Sequence, residues 1–152
     1  MPTSSPSSEN ALELSLTNDL RELAPAAAAI DEFCTGRELG TQLSYAVDLS
    51  VNEILSYCIA NAYDDDDVHP IEVAVYLDAQ EIMLLIVNDG IELSVRPPSS
   101  GGQHPTLNEE RLDELGLFLV YQVMDTVRYE QQQGCNVVVM TKRLPSEVVS
   151  SQ

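Results

Sequence analysis

Positive charge is scarce in this chain. Its 152 residues hold seven Lys and Arg against 25 Asp and Glu, a formal net charge of −18. A field of that sign repels phosphate backbones and anionic headgroups, so neither nucleic acid nor a membrane surface is an expected partner, whereas a basic protein surface is accommodated. Long apolar runs are missing as well. No stretch nears the roughly 18 residues that cross a bilayer. The first ten residues, Met1-Pro-Thr-Ser-Ser-Pro-Ser-Ser-Glu-Asn10, carry neither the basic start nor the apolar core of a secretion signal. Cysteine and histidine are few and scattered. Cys34, Cys58 and Cys135 are odd in number, and with His69 and His104 they offer no metal-ligand spacing. No metal site is expected from them, and the thiols read as reduced, packed groups of a cytoplasmic protein.

What is present is a globular composition, 44% hydrophobic and 21% charged, of a length that suits one domain. Residues 1–10 and 146–152 read as flexible tails around a domain spanning 11–145. Leu12, Leu14 and Leu16 alternate as a strand. Asn18 is placed to cap a helix through Leu20, Leu23, Ala27, Ile30 and Cys34, which Pro25 should kink or delay. A second, longer helix is predicted over about 41–63. Leu43, Val47, Val51, Ile54, Cys58 and Ala62 form its buried stripe, while Glu53, Tyr57 and Asn61 line another face. Asp64-Asp-Asp-Asp67 reads as a solvated charge cluster. Ile71 to Leu77 alternates as a strand, and the unbroken apolar run Ile82 to Val87 suits a central strand buried on both faces. A Pro/Gly-rich lid is expected over 91–107. A third helix follows from Asn108, with Leu112, Leu115, Leu119 and Val123 as its apolar stripe. A hairpin around Gln132-Gln-Gly-Cys135 closes the chain.

Four segments in this order carry a resemblance: Ala46-Val-Asp-Leu-Ser-Val-Asn-Glu-Ile-Leu55, Leu115-Gly-Leu-Phe-Leu-Val120, Asp125-Thr-Val-Arg-Tyr129 and Gly134-Cys-Asn-Val-Val138. From about Leu12 to Leu144 the chain resembles the anti-sigma factor serine/threonine kinases of bacterial partner-switching systems, within the gyrase and histidine-kinase ATPase superfamily. That resemblance implies the Bergerat ATPase fold, an α/β (α+β) two-layer sandwich whose mixed, mostly antiparallel sheet has helices on one face. It also implies a transcription regulator that binds a sigma factor or its antagonist protein, often as a homodimer. Catalytic members use Mg-ATP to phosphorylate a serine of the antagonist. By the same resemblance Glu53 is the catalytic base, Asp89 reads the adenine amino group, and Gly90, Leu115, Gly116 and Leu117 lie along the nucleotide.

Other family positions have changed. Tyr57 stands where the Mg-binding Asn belongs, and a neutral phenol is a poor ligand for a hard cation. Glu92 replaces the second glycine after Asp89. Leu112-Asp-Glu-Leu-Gly116 replaces a glycine-rich phosphate loop, and its Asp113 and Glu114 each oppose a polyanion by about 4 kcal/mol at 4 Å and a dielectric of 20. Two readings follow. One is a kinase-fold regulator that binds its protein partner with ATP use impaired or absent. The other is an active Mg-ATP-dependent kinase acting on an anti-sigma factor antagonist.

Overall fold

The computed structural model describes residues 10–91 and 109–145. The expected tails apart from Asn10, the expected lid apart from Ile91, and Glu92 therefore lie outside the described residues. Five strands and three helices follow one another: β1 (Ala11–Thr17), a 3-10 turn (Leu20–Glu22), α1 (Leu23–Gly36), α2 (Thr41–Asn61), β2 (Pro70–Leu77), β3 (Glu81–Asn88), α3 (Glu109–Val123), β4 (Thr126–Gln132) and β5 (Cys135–Arg143). The strands form one sheet in the order β1-β2-β3-β5-β4, and each neighbouring pair is antiparallel. The expected two-layer α/β class is the one observed.

The core lies between the helices and one face of the sheet. Leu43, Val47, Val51, Ile54, Cys58 and Ala62 are each at most 2% exposed, which is the stripe the helical spacing requires. Facing them are Val73, Val75, Ile82, Leu84, Ile86, Val138 and Met140, all buried. At about 1.5–3 kcal/mol per buried aliphatic side chain, this interface dominates the stability of the domain. Cys34 and Cys58 are buried free thiols within it. Burial pushes the Cys58 thiol up to about 12, and the hydrogen-bonded Asn88 side chain opposes that shift.

Three expectations need correction. The run Ile82 to Val87 is central but not buried on both faces: Ile82, Leu84 and Ile86 are buried while Met83, Leu85 and Val87 are only half-buried. Helices cover one face of the sheet, so β3 shows the alternation of a half-covered strand. Among the α3 side chains that are described, Gly116, Leu117 and Val120 are buried, as is Met124 just after the helix, whereas Leu119 is 39% exposed. Lastly, Asn18 caps no helix. Asp19 caps the short turn through the Arg21 N–H. Asn18 instead ties the end of β1 to the loop before β2: its N–H donates to the His69 carbonyl at 3.1 Å, and its Oδ1 accepts the His69 N–H at 2.9 Å. Pro25 falls in the first turn of α1, where its missing N–H is not needed, so the helix starts late rather than kinking.

The closing hairpin turns at Gln133 and Gly134, with φ of 52° and 81°. Two successive positive φ values match the right-handed twist of the flanking strands, and the glycine bears the second without steric cost.

Candidate functional site

Glu53 sits in the middle of α2, half-buried. Its carboxylate lies against the backbone of Gly116, which is buried in α3; a Cβ at Gly116 would overlap Glu53 Oε1. The glycine is a notch in α3 that admits the end of Glu53. One turn further along α2, Tyr57 is half-buried and packs against the core. Asn61, the next residue on this face, turns its amide back to the Tyr57 carbonyl at 2.9 Å.

Gly90 is closed off in a second way. A Cβ there would collide with the Ala62 carbonyl and lie 2.6 Å from the Ala62 methyl carbon. The Ile91 N–H donates to the same Ala62 carbonyl at 2.7 Å, so the segment after β3 is seated on the C-terminal end of α2. Beneath it runs a buried polar network. Asn88 Oδ1 accepts the Gly90 N–H at 2.9 Å and the Asn136 amide at 2.9 Å. That amide also donates to the Ile91 carbonyl at 2.7 Å, and the Tyr129 hydroxyl donates to Asn136 Oδ1. Asn88 and Asn136 are 2% and 0% exposed, so these bonds fix the Asp89-Gly90 turn from below.

Asp89 itself is exposed, and its Oδ1 lies 3.4 Å from His69 Nδ1. The other ring nitrogen of His69 is 2.8 Å from Asp65 Oδ1. The imidazole stacks on Tyr63, with ring centroids 4.5 Å apart and planes inclined by 20°. The hydrogen bond to Asp65 raises the His69 pKa above its ordinary value; burial opposes this, and the charges of Asp65, Asp89 and Asp67 add to it. Burial raises the Tyr63 phenol, as does the Asp89 charge. The Tyr63 hydroxyl is buried with no hydrogen-bond partner among the described residues. Asp65, Asp67 and His69 each place a ligand-type atom within 4.8 Å of the others, yet both carboxylates are solvent-exposed, which is the solvated cluster read from the sequence.

The structure brings Glu53 and Gly116 together and places Asp89 and Gly90 at the far end of the same helix. Leu117 is 7% exposed and belongs to the core. Leu115 lies within α3, which begins at Glu109, so the segment Leu112 to Gly116 is helix rather than loop. From the fifth residue of a helix onward each N–H is bonded to a carbonyl four residues back, so the amides of Leu115 and Gly116 are not free to cradle phosphate. Mg-ATP is a poor fit to the described residues. The metal position holds a phenol, one glycine is filled by Glu53 and the other by Ala62, and Asp89 is engaged by His69.

Sequence reasoning set His69 beside the Asp64 to Asp67 run but missed its contact with Asp89, and it missed Tyr63 and the Asn88–Asn136–Tyr129 network. Asn136 and Tyr129 lay within quoted segments, and a polar Asn amid apolar strand residues was the available signal. The His69 contact comes from a loop crossing that no local pattern announces.

A histidine kinase-like ATPase domain matches residues 16–142, and the chain belongs to that family. Among solved structures, the RsbU and RsbW domains of Rv1364c from Mycobacterium tuberculosis superpose with a TM-score of 0.62 at 12% identity. The match covers 88% of this chain and 32% of that one, so the chain spans about a third of the length of that structure. A comparison with curated protein sequences finds no match.

Proposed function

We propose that this protein is a regulator of the anti-sigma type that works by binding a sigma factor or an antagonist protein and does not use ATP. The reading rests on the family, on the similarity to a structure that contains an RsbW domain and on the four sequence segments that resemble anti-sigma factor kinases. One observation carries the second half of the proposal: among the described residues, three positions at which the family would meet nucleotide lie against another group of this chain. Glu53 fills the Gly116 notch, Ala62 closes on Gly90, and His69 engages Asp89. A net charge of −18 suits a basic face on the partner.

The kinase reading is favoured by one residue, Glu53, which keeps the position of the catalytic base. Calorimetry of the nucleotide-free chain with ATP and ADP, with and without Mg²⁺, separates the two. The binding-module reading expects no heat and no change in melting temperature at millimolar nucleotide. Mg-dependent binding below about 100 μM, or roughly −5.5 kcal/mol, overturns it. The protein-binding half is tested by titrating candidate sigma factors and antagonists; a chain that binds none of them is not a partner-switching regulator.

A further inference from the structure

We infer that a cleft at the opposite end of α2 binds an organic carboxylate with an apolar body. The cleft has a volume of about 510 Å³, within the size range of small-ligand sites. The first turns of α2, the last turn of α3 and the end of β5 enclose it. It lies about 16 Å along α2 from Glu53, since Gln42 in its wall precedes Glu53 by eleven residues at roughly 1.5 Å each.

Charge selects the ligand. The chain holds 25 acidic residues and seven Lys and Arg, yet the described residues of the wall include no carboxylate and two of the cations, Lys142 and Arg143. The carboxylate of nearby Asp125 is held on the Arg143 backbone N–H at 2.6 Å. Lys142 is the only lysine in the sequence. Its Nζ donates to the Val123 carbonyl at the C-terminal end of α3, at 2.7 Å. That bond fixes the ammonium at the cleft and uses one of its three N–H donors, leaving two for a ligand. The positive end of α2 adds to the same field, because the helix starts from Gly40 without a side-chain cap and Gln42 and Leu43 of its first turn are in the wall. Leu43, Ala46 and Val123 provide an apolar lining, and Tyr45, 61% exposed, offers an aromatic rim. A single negative charge suits one fixed ammonium inside a molecule of net charge −18, where a phosphate dianion meets stronger long-range repulsion. Such a group is either a free short acid or the C-terminal carboxylate of a peptide.

The test uses the full chain, ¹⁵N-labelled, titrated with octanoate, with a tripeptide ending in Val-Leu-COOH and with octanol as the uncharged control. The expected result is a saturable shift of the amides of residues 42–46 and 122–123 by at least one of the acids, with Kd below about 1 mM, and at least tenfold weaker binding of octanol. Tighter octanoate identifies a free acid, and tighter peptide identifies a chain terminus. Lys142→Met should weaken binding at least tenfold. Because that change also removes the cap on α3, Gln122→Glu, at an exposed wall position, provides the second variant and should weaken binding similarly. No shift at these residues with either acid, equal binding of octanol, or Gln122→Glu binding as well as wild type overturns the inference.

Discussion

The two ends of α2 present opposite surfaces. Along its C-terminal half, side chains face other parts of the same chain: Glu53 in the Gly116 notch, Tyr57 on the core, and Ala62 against Gly90. At its N-terminal end the helix begins without a side-chain cap beside an open cleft whose described lining holds no carboxylate. Both ends are built from one regular helix, so secondary structure does not distinguish them. The difference lies in what the rest of the fold brings up. The turn after β3 and the notch in α3 close one end, and at the other end the last turn of α3 and the end of β5 line a cleft. A glycine in a nucleotide-binding pattern is therefore informative only with its neighbours: here both glycines admit protein atoms.

The comparison can be broken most severely at the closed end. Gly90→Ala puts a methyl group into the Ala62 backbone, which cannot swing aside, and should cost about 2–4 kcal/mol in denaturant unfolding. Asn136→Leu removes the Asn136 side-chain bonds to the Tyr129 hydroxyl and the Ile91 carbonyl and one of the two donors to Asn88 Oδ1, and a loss of about 2–3 kcal/mol is expected by the same measurement. A stable Asn136→Leu protein would show that the network does not hold the Asp89 turn.

A change in affinity comes next. Combining Tyr57→Asn with His69→Ala supplies a metal ligand and frees Asp89, so Mg-ATP affinity measured by calorimetry should rise at least tenfold over wild type. No gain would mean that the closure lies elsewhere.

The effect of pH on the same loop is smaller. The pKa of His69 is raised above its ordinary 6.5, chiefly by Asp65 and further by Asp89, so the fold favours the protonated ring. Its contribution is fully present below about pH 6.5 and is lost as pH rises through the raised folded value. Melting temperatures followed from pH 6 to 9 should fall more for wild type than for His69→Gln, and parallel curves would exclude the linkage.

Gly116→Ala should do least. The added methyl meets only the flexible end of Glu53, which can rotate away, and alanine's helix propensity offsets about 1 kcal/mol of any strain. A change under about 1 kcal/mol set against the large cost at Gly90 would separate a side-chain notch from a backbone one.

Much of the layer structure was legible from periodicity. The α2 stripe fell where 3.6-residue spacing placed it, and the Gln-Gly turn located the last hairpin. In α3 Leu119 did not fall inward while Val123 did, because Leu, Phe and Val crowd Leu115 to Val120 and several faces are equally apolar on paper. Which face turns inward is decided by Gly116 meeting Glu53. The candidate site was legible as a set of positions and not as a state. Nothing local in Val68-His69-Pro70 says that this imidazole will reach Asp89, twenty residues on. The cleft at Lys142 draws on three segments remote in sequence, each unremarkable by itself.

The strand order has a consequence for how the chain is divided. β1, β2 and β3 are neighbours in both sequence and space, as are β4 and β5, and the two groups meet along the full length of β3 and β5. Among the described residues, the covalent link between them contributes no strand to that seam. The molecule is thus two self-adjacent pieces zipped along one ladder, and its continuity as a polypeptide and its continuity as a sheet are separate properties.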